Sequence, residues 1–491
     1  MDVIFWTCVH SPTFIFRAIG PYQLAWWLRT KGYNCQVIDM VHTMTVDELV
    51  SYTEKFITGN TLCIGVSSTF FSEFNPKTTQ NHWVRRVPRM YVEAIKIIKE
   101  RYPNIKIVLG GALSDLLFRE ELSIFDVTIM GEAEDSFLEV LEEWRKGRKF
   151  IFSAETKGGR PYITTAKEKH FNIEECSHKF AEQDCIIDGE TLPIEISRGC
   201  IFKCKFCNFP LLGKKKGTYL RDSDEIRDNL IRMYEVHGTT SYFLTDDTFN
   251  DDNDKIEALH KVFTSLPFKP KFSAYLRIDL LNKYPHQAQM LTEMGLMGSF
   301  FGIETLQYES AKAIGKGMHP NKVKDRLYWL KEQWENKVNM SAGFILGLPY
   351  DTHEYFYDLI NWSLEPDNPL QEMLFYPLML FHYEKNAELN RYSSEFSLNP
   401  EIYGYVMENV AKWSLPSQGL NFNMCKTIAD EYNIMRGDKN KFSAFAMNNM
   451  LNVDIPLEHI LKHTQVELRQ MYNIKELNDK KINNYKEMLL I

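Results

Sequence analysis

Nowhere in its 491 residues does the chain reach the ~18 uncharged apolar residues that a membrane-spanning helix needs. The opening run MDVIFWTCVHSPTFIF has neither the basic start nor the uninterrupted apolar stretch of a secretory signal. A surplus of positive charge is also missing. Lysines and arginines number 57 against 65 aspartates and glutamates, a formal charge of −8, so no long-range attraction to phosphate polymers is expected. Cysteine is too sparse for a disulfide framework, since nine is an odd number and a chain of this size needs no staples. These absences predict a soluble, cytoplasmic protein of a reducing compartment, with no membrane partner and with nucleic acid disfavoured as a substrate. What is present is hydrophobic sequence, 44% of the residues, ample for two or three packed domains.

Three of the cysteines, Cys200, Cys204 and Cys207, stand in the run Arg-Gly-Cys-Ile-Phe-Lys-Cys-Lys-Phe-Cys-Asn-Phe-Pro. That spacing brings three thiolates within reach of one iron–sulfur cluster. A cubane cluster normally takes four cysteines, so three with no obvious fourth nearby leave one iron open to another molecule. An open iron points to chemistry and not to electron storage. The competing reading is a structural zinc site. Zinc asks for a fourth Cys or His at short spacing, and His170 and His178 lie too far upstream to serve.

The Cys-x3-Cys-x2-Cys loop, with Phe206 just before the last cysteine, resembles that of the radical S-adenosylmethionine (SAM) enzymes. The resemblance implies a 4Fe–4S cluster on Cys200, Cys204 and Cys207 whose open iron is chelated by SAM. One electron then cleaves the sulfonium and yields a 5′-deoxyadenosyl radical. The resemblance also implies a reductant such as flavodoxin or ferredoxin, and it places Phe206 beside the adenine.

Upstream, residues 1–150 alternate β-rich runs with helical stretches, which predicts an α/β, doubly wound, Rossmann-like parallel sheet. In such sheets ligands sit beyond the carboxyl ends of the strands. There the sequence places Ser67, Ser68 and Thr69, then Gly110 and Gly111, then Gly131 and Glu132. Read alone, these are equally well plain turn residues. The stretches GPYQLAWWLRTKGYNCQVID, IGVSST, IVLGGA and VTIMGEAEDSFLEVL are similar, in that order, to the cobalamin-binding domain of one branch of radical SAM enzymes. The resemblance implies cobalamin as a cofactor bound by those seven residues. The Asp-x-His-x-x-Gly motif that holds cobalt from below is missing, and His10, in the loop after the first strand, lacks its companions. Phe70 to Val87 form a long aromatic and basic insertion, either a cover for the ligand end or a surface excursion.

Residues 151–191 read as a linker with a Gly158-Gly159 turn, in which Cys176 and Cys185 are expected to be inert. From 192 to 395 strands and helices alternate again, as expected of a partial (β/α)6 barrel with its active face at the strand carboxyl ends. The family's motifs fall at those ends. Asp246 or Asp247, after Ser241–Leu244, would face the SAM amino group or the substrate, or simply cap a helix. Arg277 would pair with the SAM carboxylate, and Glu304 would lie near the ribose hydroxyls. A structural ion pair is the alternative for each. Gly347, in GFILGLP, would meet the adenine through its backbone. The Lys214-Lys215-Lys216 run either guides an anionic substrate or is merely solvated. Residues 396–491 read as a mostly helical cap that determines the substrate, with Cys425 expected to be structural.

A radical-generating barrel behind a cobalamin-type domain implies methyl transfer to an unactivated carbon or phosphorus of a small molecule or peptide. The alternative is a non-methylating radical rearrangement, cyclisation or epimerisation. A cluster used for sensing without turnover is the remote alternative.

Overall fold

The computed structural model describes residues 1–9, 16–71, 86–111, 121–148, 156–157, 160–164, 171–177, 179–207, 214, 219–380, 394–409 and 412–491. The chain divides into two compact units, residues 1–193 with 232–238 and 475–491, and residues 194–231 with 239–474. His10, Gly158-Gly159, Lys215, Lys216 and most of the insertion after Phe70 lie outside the described residues. Among the described residues no helix is long and apolar enough to cross a membrane.

In the first unit, strands Val3–Trp6 (β1), Cys35–Ile38 (β2), Cys63–Ser67 (β3), Lys106–Gly110 (β4) and Val127–Met130 (β5) form a parallel sheet in the order β2-β1-β3-β4-β5. β1, β2 and β5 are buried at every residue, as a strand covered on both faces must be. Helices Ile19–Thr30 (α1), Val46–Phe56 (α2), Arg89–Arg101 (α3) and Glu134–Arg145 (α4) supply that cover. On one face Leu49, Tyr91, Ile95 and Ile98 close over Ile4, Trp6, Ile64, Val66, Ile107 and Leu109. α2 begins where it does because Thr45 and Glu48 cap it reciprocally.

Two segments expected elsewhere belong to this unit. The stretch read as a linker extends the sheet with Thr156–Lys157 (β6) and Arg160–Thr164 (β7), β7 running parallel to β5. It is also bolted down by charge. Arg17 Nε lies 2.7 Å from Glu190 Oε1, and Arg29 Nη2 lies 2.6 Å from Asp184 Oδ1, with Arg17, Glu190 and Asp184 all buried. The expected single cap at 396–491 is divided. Its last helix, Ile474–Leu490, packs Ile482, Tyr485 and Leu489 into the first unit's core, where the Tyr485 hydroxyl accepts the Asp39 N–H at 2.7 Å.

The second unit is built on a six-stranded sheet of Leu192–Ile194 (β8), Ser241–Leu244 (β9), Lys271–Leu276 (β10), Leu296–Glu304 (β11), Asn339–Leu346 (β12) and Glu372–Pro377 (β13), with neighbours in chain order. Helices between successive parallel strands give the expected partial barrel. The remainder carries helices and a small antiparallel sheet, Val406–Met407 (β14), Trp413–Leu415 (β15) and Leu420–Asn421 (β16), that the sequence reading missed.

Candidate active site

The cysteine loop follows β8. Cys207 N–H bonds Cys204 O at 3.1 Å, which turns the chain tightly around Phe206, and Lys214 N–H bonds Cys200 O at 3.0 Å, which closes the loop. Cys200 is buried, while Cys204, Phe206 and Cys207 are half-buried. Two side chains from other strand ends reach the sulfurs. Thr248 Oγ1 stands 3.5 Å from Cys200 Sγ, and Arg277 Nη1 donates to Cys204 Sγ at 3.6 Å. The Arg277 guanidinium lies 3.8 Å from the centre of the Phe202 ring, a cation–π contact inside the loop.

Among the described residues no three His, Cys, Asp or Glu side chains converge as the ligands of a single metal ion. Thiolates that bind three different irons of one cluster stand farther apart than ligands of one ion. Three thiols on one loop, two of them met by an N–H or a hydroxyl, fit such a cluster, since hydrogen bonds to the sulfurs both orient the ligands and tune the potential.

The carboxylates sort themselves by burial. Asp246 is buried, with Oδ1 taking Ser197 Oγ–H and Lys255 Nζ at 3.2 Å, and Oδ2 taking the Ile196 N–H at 3.2 Å. Lys255 also pairs with Asp251 at 3.2 Å. Those bonds join the β8 and β9 ends, a structural task for Asp246. The neighbouring Asp247 is half-buried and has no hydrogen-bonding partner among the described residues. Burial first, then the charges of Asp246 and Glu195, raise its pKa to about 7. It is not the helix cap that its sequence allowed. The next helix, Asn253–Thr264, starts later and is capped by Asp252.

Arg277 and Glu304 both have the ion pairs that the alternative reading anticipated. Asp279 takes Arg277 Nε at 3.0 Å and Nη2 at 2.8 Å, and with Nη1 also donating to Cys204, one N–H on each of Nη1 and Nη2 remains for a further acceptor. Lys316 Nζ lies 3.1 Å from Glu304 Oε1 and also donates to Gly302 O. Glu304 sits at φ 67°, a left-handed conformation rare for a side chain that large and a mark of strain at the strand end.

Gly347 is enclosed. Its φ is +94°, its N–H goes to Asp351 Oδ2 at 3.0 Å, and its carbonyl accepts from Tyr405 OH at 2.8 Å. A Cβ would stand 2.2 Å from the Trp413 ring and 3.1 Å from Cys425 Sγ. Cys425 is accordingly buried, its thiol pushed up to about 12 by burial. Cys176 and Cys185 are likewise buried, each with its Sγ on a backbone carbonyl.

In the first unit, the residues expected to meet cobalamin gather at the strand carboxyl ends. Ser68 N and Oγ both bond Gly110 O at 2.8 Å, which ties the β3 and β4 ends together. Gly111 has φ +102°, and a Cβ there would come within 2.6 Å of Thr69 Oγ1 and 3.1 Å of Ser68 N, so only glycine permits this approach. Ser67, Thr69 and Glu132 are half-buried, Gly131 is exposed, and Glu132 Oε2 takes the Phe171 N–H at 3.3 Å. A rim of small residues along the carboxyl ends of β3, β4 and β5 leaves room for a broad, flat ligand.

A profile of the radical SAM superfamily matches residues 194–363. An uncharacterized methyltransferase of Pyrococcus horikoshii is 26% identical over 277 residues, 53% of this chain and 58% of that protein. The cobalamin-dependent radical SAM methyltransferase TokK of Streptomyces tokunonensis is 24% identical over 332 residues, 62% of this chain and 46% of that protein. The chain spans about half the length of these curated relatives. Among solved structures, the cobalamin-dependent S-adenosylmethionine radical enzyme OxsB with aqua-cobalamin bound aligns with a TM-score of 0.61 at 13% identity, covering 100% of this chain and 80% of that one, a likeness of fold. The chain contains a radical SAM domain at residues 194–363, within a fold shared with cobalamin-dependent radical SAM enzymes.

Proposed function

We propose that the protein is a cobalamin-dependent radical SAM methyltransferase acting on an unactivated carbon or phosphorus centre. The observation that carries this reading is the ordered set of strand ends in one unit. The three thiols follow β8, Thr248 and Asp247 follow β9, Arg277 follows β10 and Glu304 ends β11. When bound, these cofactors supply a carbon radical and a transferable methyl group.

The chain's own residues divide the remaining work. Cys200, Cys204 and Cys207 hold the cluster, and Thr248 and Arg277 orient two of the sulfurs. The remaining N–H groups of Arg277 pair with the SAM carboxylate, Glu304 meets the ribose hydroxyls, Phe206 lies beside the adenine, and Gly347 fixes the strand end that borders it. Asp247, and not Asp246, is the carboxyl group free to meet the SAM amine or the substrate. Ser67, Ser68, Thr69, Gly110, Gly111, Gly131 and Glu132 hold cobalamin. Support for the methyl-transfer step comes from the names of the relatives above.

Alanine at any one of Cys200, Cys204 or Cys207 is expected to abolish 5′-deoxyadenosine formation under reduction and to lower the iron retained. Undiminished 5′-deoxyadenosine from any of the three variants would contradict the assignment.

A further inference from the structure

The inner face of the second unit's sheet is lined with rings that nothing above employs. Side chains alternate along a strand, so Ser273 and Tyr275 on β10, Gly298 and Phe300 on β11, Ser341 and Gly343 on β12, and Leu374 and Tyr376 on β13 share that face. Its lower part is plugged by the segment around Phe442–Asn448. Ala444 N–H bonds Ser341 Oγ at 3.1 Å, Asn448 donates to Ser273 Oγ, and Ala444 closes against Gly298. Within the plug, Phe445 meets the rings.

Phe445 lies 4.2 Å from Tyr275, 5.0 Å from Phe243 at 86° and 5.8 Å from Phe300, while Tyr275 meets Phe300 edge-on at 5.5 Å. Gly343 separates Phe300 from Tyr376. A Cβ there would come within 3.3 Å of one ring and 3.9 Å of the other, so bare backbone floors the slot between them. Yet this aromatic cluster is not sealed. Tyr275 is 37% exposed, Tyr376 48%, and Phe243, Phe300 and Phe445 are half-buried. Large apolar side chains on the inside of a barrel are normally packed away.

The cup sits under the reactive rim. Tyr275 precedes Arg277 by one strand repeat, about 6–7 Å, and Arg277 touches Cys204. The five rings themselves are uncharged, and the one carboxyl that shares their face on β13, Glu372, lies deep beside Ser341, where burial pushes it up to about 8 and favours its neutral form. Polar groups stand at the mouth, where Tyr376 and Asp247 lie close enough to the Tyr275 hydroxyl to add to the effect of its burial. An apolar wall with a few convergent polar groups is the usual make-up of a small-molecule pocket.

We propose that Phe243, Tyr275, Phe300, Tyr376 and Phe445 form the substrate pocket, and that the substrate presents a planar, uncharged aromatic or conjugated ring. This rests on the reading of the strand ends as a radical SAM site. Rings set edge-on and tilted around an open slot reward a flat partner through edge-to-face and offset contacts. A saturated ring of equal size has no π face to offer and keeps only part of those contacts.

The test uses the full chain with its cluster reconstituted and SAM bound. Indole and quinoline, with cyclohexanol and tetramethylammonium as comparisons, are titrated by saturation-transfer NMR against the wild type, Tyr275→Ala, Tyr275→Phe and Tyr376→Ala. The flat probes should bind saturably. Either alanine should weaken them about tenfold, roughly 1.4 kcal/mol, while Tyr275→Phe, which keeps the ring, should stay near wild type. Tyr376 is half exposed, so its variant should fold even if Tyr275→Ala does not. Equal binding of cyclohexanol, stronger binding of tetramethylammonium, or indole binding that ignores both alanines would overturn the proposal. Ring binding without 5′-deoxyadenosine formation by the same wild-type sample would sink the radical reading and keep the pocket. 5′-Deoxyadenosine without ring binding would do the reverse.

Discussion

Arg277 combines three contacts in one side chain: a bidentate pair with Asp279, a stack on Phe202 and an N–H directed at Cys204. The last of these gives a residue-scale prediction. A positive N–H donor beside a cluster sulfur favours the more negative, reduced cluster and raises its potential. Arg277→Met should therefore lower the reduction potential of the reconstituted cluster by on the order of 50 mV, about one tenfold step for a one-electron couple. Thr248→Val, which removes the hydroxyl beside Cys200, should act in the same direction and more weakly. A redox titration followed by electron paramagnetic resonance reads both, and potentials equal to wild type would reduce Arg277 and Thr248 to packing roles. Chemistry carried by residues adjacent in the chain is the most legible in sequence. The three cysteines stand out by their spacing alone, and the structure sets them on one loop after β8. The division of labour between Asp246 and Asp247 was not legible, because it is decided by Lys255 and Ser197, which reach one carboxylate from other elements and leave the next in the chain alone.

The β12 end shows how an element is held at its ligand-facing tip. Asp351 Oδ2 takes the N–H groups of Gly347 and Leu348 at 3.0 Å each, and Ser310 Oγ lies 2.9 Å from its Oδ1 and 2.7 Å from Pro349 O. The single Ser310 hydroxyl proton is divided between Asp351 and Pro349, so it offsets only part of the cost of burying the carboxylate. Complete burial pushes this carboxyl up from 3.8 to about 7. A carboxyl whose folded pKa lies above its ordinary value contributes fully below about 3.8 and loses that contribution as the pH rises through about 7. The wild type should thus lose unfolding free energy relative to Asp351→Asn between pH 5 and pH 8.5. Asp351→Ala, which strands two buried N–H groups, should cost about 2–4 kcal/mol at either pH. Denaturant melts at the two pH values check this, and parallel pH profiles for wild type and Asp351→Asn would contradict it. The strands themselves were readable, since β9 is a short β-rich run followed by turn residues, and β12 a longer one ending in Gly-Leu-Pro. β14–β16 were not, because strands of two or three residues are too short to show a period.

Across the whole molecule, the expected boundaries failed where distant segments return to a core already formed. The stretch read as a linker gives the first sheet two strands and buries Glu190 against Arg17. Phe445 reaches β9, β10 and β11 from far along the chain. No local pattern announces such partners. The Arg17–Glu190 pair predicts its own consequence. With side chains 0% and 2% exposed, Glu190→Ala leaves a buried guanidinium without its carboxylate and should cost about 3–5 kcal/mol of unfolding free energy. A double change to apolar residues of similar volume should recover most of that loss, and a single variant within about 0.5 kcal/mol of wild type would show the pair to be dispensable. A cobalamin-dependent radical SAM enzyme needs both units, one for the cluster and one for cobalamin. The most direct measurement is the iron and cobalt content, with the absorption spectrum, of protein reconstituted without oxygen in the presence of hydroxocobalamin. The account predicts about four irons and one firmly held cobalt per chain, with the iron lost and the cobalt kept when Cys200, Cys204 and Cys207 are all alanine. Four irons with no retained cobalt would contradict cobalamin-dependent methyl transfer, and protein that takes up no iron would contradict the radical SAM reading itself.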